Sequence, residues 1–208
     1  DGARELSARF PAGPFENPNH VFLVGRAHYE VGEVDRAAPL VEDAVKRNPR
    51  TAEAWYYLGL IRDERGDPSG ATTAFLRSRE LDLELPGPPV SLSRETFEVT
   101  ARRAIESLPE SLKVYVREGE IYVADVPGVE VVVDGVDPRA LLLLDGINTE
   151  DKSLPLTARV FVYQRNVERL AGSVELVESE ISAALEREIT ATFLDPEPDH
   201  SVPPGKLN

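Results

Sequence analysis

Apolar and small residues recur at helical spacing through the first part of the chain, and the pattern repeats at a fixed offset. Gly25 and Gly59 stand 34 residues apart, as do Gly32 and Gly66, and Ala37 and Ala71. The runs around them match in character, with Val21-Phe22-Leu23-Val24-Gly25 in one unit and Trp55-Tyr56-Tyr57-Leu58-Gly59 in the next. Small residues at Gly25/Gly59 and Ala37/Ala71 let paired helices approach closely. Gly32-Glu33 and Gly66-Asp67-Pro68 supply the turns between them. Asn48-Pro49 closes the second helix, because proline disfavours helical backbone in the residue before it. The spacing predicts helices over 18–31, 34–47, 52–65 and 68–82.

Beyond the stiff stretch Leu85-Pro86-Gly87-Pro88-Pro89 the pattern changes. Ser93 is placed to cap a helix over 94–107, whose Phe97, Ala101, Ala104 and Ile105 share a face. Four apolar, β-rich segments follow: Lys113–Arg117, Ile121–Ala124, Val129–Val133 and Arg159–Tyr163. Asn166 opens a short helix, and a longer one is expected over 174–194. On that last helix Val174, Val177, Ile181, Ala184, Leu185 and Thr192 form a stripe, and Glu188 lies within it. Asp134-Gly135 and Asp145-Gly146 read as turns. The fold class expected is α+β: helical hairpins first, then a small mixed domain.

The 34-residue unit resembles the tetratricopeptide repeat. Trp55, Leu58, Gly59, Ala71 and Phe75 carry the likeness in the second unit. Val21, Val24, Gly25, Ala37, Ala44 and Pro49 carry it more loosely in the first. The resemblance implies a groove lined by the first helix of each pair, here Phe22, Leu23, Arg26, Tyr56, Tyr57 and Leu60, taking a short apolar peptide or helix. Two such repeats fall short of the three usually needed for a continuous core. The helix carrying Phe97 and Ala101 is the expected cover for the open end.

The order of motifs after the linker is similar to the minimal zincin-like metallopeptidase family of bacteria. The likeness rests on Leu108-Pro109-Glu110, Val123-Ala124-Asp125-Val126-Pro127, Leu141–Gly146 and Arg159–Arg169 following Pro155. It covers 93–195. That family ends in a helix bearing HExxH and an acidic third ligand. Position by position, the histidines fall on Arg187 and Ala191, the general base on Glu188 and the third ligand near Asp195. Glu188 is thus a vestigial catalytic acid. Catalytic zinc takes three protein ligands plus a water. A guanidinium at one ligand position and a methyl at another imply a chain without metal or cofactor; zinc enters only under the alternative of a metallopeptidase with unusual ligands, drawn from Glu188, Asp195, Asp199 or His200.

Composition narrows the picture further. A net charge of −14 argues against binding nucleic-acid backbones, which takes clustered Lys and Arg. There is no cysteine, so thiolate metal sites and disulfides are excluded, and the three histidines (His20, His28, His200) lie far apart. The apolar runs are far below the roughly 20 residues of a membrane span. No signal-peptide pattern follows Asp1, whose lack of an initiator methionine leads to the expectation of a segment upstream. The layout expected is an irregular segment over 1–17, two repeats over 18–85, a linker over 86–92, the zincin-like domain over 93–195 and a loose tail over 196–208. The function expected is a cytoplasmic, non-catalytic adaptor that binds a protein or peptide in the repeat groove, with self-association of the repeats as a further role.

Overall fold

The computed structural model describes residues 10–11, 13–89, 91–147 and 157–194. In chain order the elements are α1 (Pro18–Glu30), α2 (Val34–Arg47), α3 (Ala52–Glu64), α4 (Pro68–Glu84), α5 (Arg94–Glu106), α6 (Glu110–Lys113), β1 (Glu120–Ala124), α7 (Val129–Val133), β2 (Leu142–Asp145), β3 (Arg159–Tyr163), α8 (Gln164–Ala171) and α9 (Val177–Ile189). A 3₁₀ turn at Val174–Leu176 precedes α9, and a π-helical turn at Thr190–Leu194 follows it. The chain divides into two compact units. One runs through Pro86 and adds Pro127–Arg139; the other holds Gly87–Val126 and the chain from Ala140.

The first unit is two antiparallel helical hairpins, α1–α2 and α3–α4. The four helices begin where the repeat spacing placed them. Asn17 and Asp67 cap α1 and α4 through their side chains, each relieving a helix-end N–H that has no partner within the helix. Gly32 and Gly66 carry φ of 79° and 74°, the left-handed backbone that a tight helix–helix turn needs. Gly25 is where α1 meets α2: a Cβ there would stand 2.9 Å from Val41 Cγ2. At Gly59 it would strike the Phe75 ring. The core of this unit joins Val21, Phe22, Val41, Tyr57, Leu58 and Ile61 with small residues between them.

Residues 127–139 were expected in the second domain, with Val129–Val133 as a strand. They belong to the first unit, and Val129–Val133 is the short helix α7 packed on α4. Four valines and a glutamate favour a strand locally, and packing overrides that preference. The segment packs on α4 with Val132 buried, and the turn at Gly135 (φ 104°) follows directly. The helix expected to close the repeats plays another part. In α5, Phe97, Ala101, Ala104 and Ile105 are buried in the core of the second unit.

The second unit is built on a three-stranded sheet of order β1-β3-β2. β1 runs parallel to β3, with Tyr122 opposite Phe161, and β2 runs antiparallel, with Leu143 opposite Phe161. One face presents Val160, Val162, Leu142 and Leu144 to the apolar sides of α5, α8 and α9. Strand β2 is not among the four β-rich segments expected; it lies within the motif Leu141–Gly146. Lys113–Arg117, expected as a strand, instead ends α6 and continues in turns, its N–H groups bonded three to four residues back. The architecture is α+β.

Candidate functional site

Helices α1 and α3 carry the expected groove residues, and the structure sorts them into three groups. Phe22 and Tyr57 are buried, their rings edge to face at 5.7 Å in the core. Leu23 is exposed, while Arg26, Tyr56 and Leu60 are half-buried. Between the helices lies a polar network rather than an apolar slot. Arg26 reaches Glu53 at 2.6 Å and Glu30 at 3.7 Å, the Tyr57 hydroxyl donates to Glu30, and the Tyr29 hydroxyl donates to Glu64 at 2.7 Å. The aromatic rings that made the groove look apolar point inward and leave their hydroxyls at the surface among carboxylates. Burial raises the ionisation of Tyr57 to about 12, its bond to Glu30 adds to the rise, and Arg26 opposes it. Tyr29 moves up for the same reasons, burial first and Glu64 second.

Tyr56 is engaged by the chain itself. Its hydroxyl donates to Asp137 at 2.7 Å, and the Arg139 guanidinium stacks over its ring at 4.4 Å. Arg139 also pairs with Asp82 of α4 at 3.1 Å, and Arg79 Nε donates to the Pro127 carbonyl at 2.6 Å. Desolvation, followed by the Asp137 charge, holds the Tyr56 phenol well above its ordinary range.

The described members of the expected ligand set lie on the surface of the last helix. Arg187, Glu188 and Ala191 are all exposed. The inward stripe is Val177, Ile181, Ala184, Leu185 and Ile189, so Ile189 takes the place expected of Glu188. An i, i+4 ligand pair needs continuous α-helix, and here the helix widens at Thr190, between the two positions. Asp195, Asp199, His200 and Pro155 lie outside the described residues. Among the described residues no three His, Cys, Asp or Glu side chains are grouped to hold a metal. A guanidinium and a methyl do not fit zinc.

A site missed in the sequence lies on α8. Glu168 is 4% exposed. It accepts from Ser91 Oγ at 2.6 Å, Leu92 N at 2.9 Å and Gln164 Nε2 at 3.0 Å. The carboxylate lines a cleft of about 330 Å3 with Arg94, Asp125 and Arg165. Arg94 closes on Asp125 at 2.6 Å. Three donors satisfy the buried charge, and together they fix the segment leading into α5. The signal was present in the spacing: Gln164 and Glu168 stand i, i+4, beside the apolar Val167 and Ala171.

The hairpins, their close-approach glycines and their 34-residue period decide the first unit. Residues 23–82 match the tetratricopeptide repeat. A curated protein of Dictyostelium discoideum, the peroxisomal targeting signal 1 receptor, is 36% identical over 58 residues. That likeness covers 28% of this chain and 9% of that protein, so the chain spans about a tenth of the relative's length. The repeat match points to protein–protein interaction as the broad role of the first unit. Among the described residues no helix is long and apolar enough to cross a membrane.

Proposed function

We propose that this chain is a non-catalytic adaptor whose repeats hold a protein or peptide partner on the face of α1 and α3. The observation that carries this reading is the repeat match over 23–82, together with the two hairpins those residues form. The surface offered to a partner consists of Arg26, Tyr29, Glu30, Glu53, Leu60 and Glu64, a polar face with an apolar spot. A receptor for a targeting signal among the similar proteins fits a peptide as the partner class. The second unit, zincin-like by the order of its sequence motifs, serves as a second binding module. Arg187 and Ala191 at the ligand positions support a role without zinc, and the strongly acidic chain supports protein rather than nucleic acid as the partner.

Two measurements test this reading. Crosslinking in the native cell should recover a partner with the intact chain and lose it with Arg26→Glu or Leu60→Asp. Recovery that is unchanged by both substitutions sinks the assignment of the face. Elemental analysis should find no stoichiometric zinc. One zinc per chain, with a peptidase activity abolished by Glu188→Gln, would establish a metallopeptidase with unusual ligands instead.

A further inference from the structure

A repeat array contacts itself only through neighbours, so the last hairpin leaves its outer side without a partner unless something covers it. Here the cover is neither another repeat nor a continuation of α4. It is Pro127–Arg139, from a part of the chain that starts after β1 and finishes before β2. Contacts from several of its residues hold it in place. Val132 is buried, Arg79 bonds the Pro127 carbonyl, and Arg139 lies between the Tyr56 ring and Asp82. Asp137 accepts from the Tyr56 hydroxyl and from the Arg139 backbone N–H at 2.7 Å. No strand pairing fastens the segment to the repeats. The contacts include those by which a groove holds a peptide: a buried apolar residue, a hydrogen-bonded carboxylate and a guanidinium stacked on an aromatic ring.

We propose that Pro127–Arg139 is an internal ligand of the repeats. It forms an autoinhibitory contact on a docking site built from Tyr56, Arg79 and Asp82. The site accepts from another protein a segment of the same chemistry, an apolar residue followed by an acid and then an arginine, once the internal copy lets go. Being tethered, the internal copy competes at an effective concentration on the order of millimolar, so a free segment binds only when the latch is weakened. Arg26 and Leu60 take no part in this site, so loss of a partner from the α1–α3 face leaves the inference standing.

The probe is a fluorescently labelled peptide of residues 127–139, titrated by anisotropy against the full chain. Wild type should bind it weakly. Arg139→Glu, which sets a carboxylate against Asp82, should raise amide exchange across 127–139 and tighten peptide binding at least tenfold. Adding Asp82→Arg to Arg139→Glu should close the latch again, restoring protection and removing binding of the wild-type peptide. Tyr56→Phe, which deletes only the hydroxyl bonded to Asp137, should give a smaller rise in exchange in a fully folded chain. Unchanged exchange in both single variants overturns the inference. So does release of the segment without tighter peptide binding, and so does unfolding of the whole first unit in Tyr56→Phe, which would make the segment part of the core.

Discussion

Glu168 offers a sharp test of how the second unit is held together. Replacing it with alanine removes the acceptor shared by Ser91 Oγ, Leu92 N and Gln164 Nε2. Hydrogen bonds to a charged group contribute about 1.5–3 kcal/mol each, but not additively. The cleft beside Glu168 admits water to part of the site, which offsets some of the loss. The expected cost of Glu168→Ala is therefore about 2–4 kcal/mol. Glutamine keeps the shape: its carbonyl oxygen can face Leu92 and Gln164, while its amide donates to Ser91 Oγ, which turns from donor to acceptor. Glu168→Gln should cost only about 1 kcal/mol. In urea unfolding, at a slope of about 1–3 kcal/mol/M, alanine lowers the midpoint by roughly 1–2 M and glutamine by half of that or less. Equal losses for both variants would mean that the charge matters and the bonding pattern does not. A loss under about 0.5 kcal/mol for alanine would refute the reasoning altogether, since it would put Glu168 among ordinary surface positions.

Three further predictions concern other parts of the chain. Gly59→Ala should lower the stability of the first unit by about 1–3 kcal/mol in a thermal melt, because the added methyl meets the Phe75 ring. Ile189→Ala should cost about 2–5 kcal/mol, whereas Glu188→Gln should change the stability by less than about 0.5 kcal/mol, which separates the buried from the exposed member of that pair by denaturation alone. Tyr57 should ionise near pH 12 in a tyrosinate absorbance titration. Since the folded chain holds the Tyr57 proton more tightly than an unfolded tyrosine at 10.0, this stabilisation is complete below pH 10 and is lost as pH rises toward 12. Alkaline unfolding of the first unit should follow that window; an unshifted phenol would remove the basis for it.

The repeats were legible because helix pairing demands small residues at a fixed period, and Gly25, Gly59, Ala37 and Ala71 display it openly. The turns at Gly32 and Gly66 were legible for the same reason. What could not be read was destination. Phe97 and Ala101 announce a buried face but not which core receives it, and Val129–Val133 carries strand-forming residues while long-range packing makes it a helix. Glu188 and Ile189 differ by one position on a helix, about 100° of rotation, so a stripe drawn from period alone can exchange an acid for an aliphatic neighbour. The Tyr56–Asp137 and Asp82–Arg139 partners are separated by 81 and 57 residues, beyond the reach of any local pattern.

That same separation bears on how the protein is made. The repeats leave the ribosome first, yet the segment that covers their outer side follows ~50 residues later, a delay of roughly 3–10 s at the usual pace of synthesis. Throughout that interval the nascent chain presents Tyr56, Arg79 and Asp82 uncovered to whatever surrounds it. The first unit therefore cannot complete itself from its own contiguous stretch of chain. It becomes whole only when β1 has been synthesised, which places a strand of the second unit ahead of the finished repeats in the order of birth.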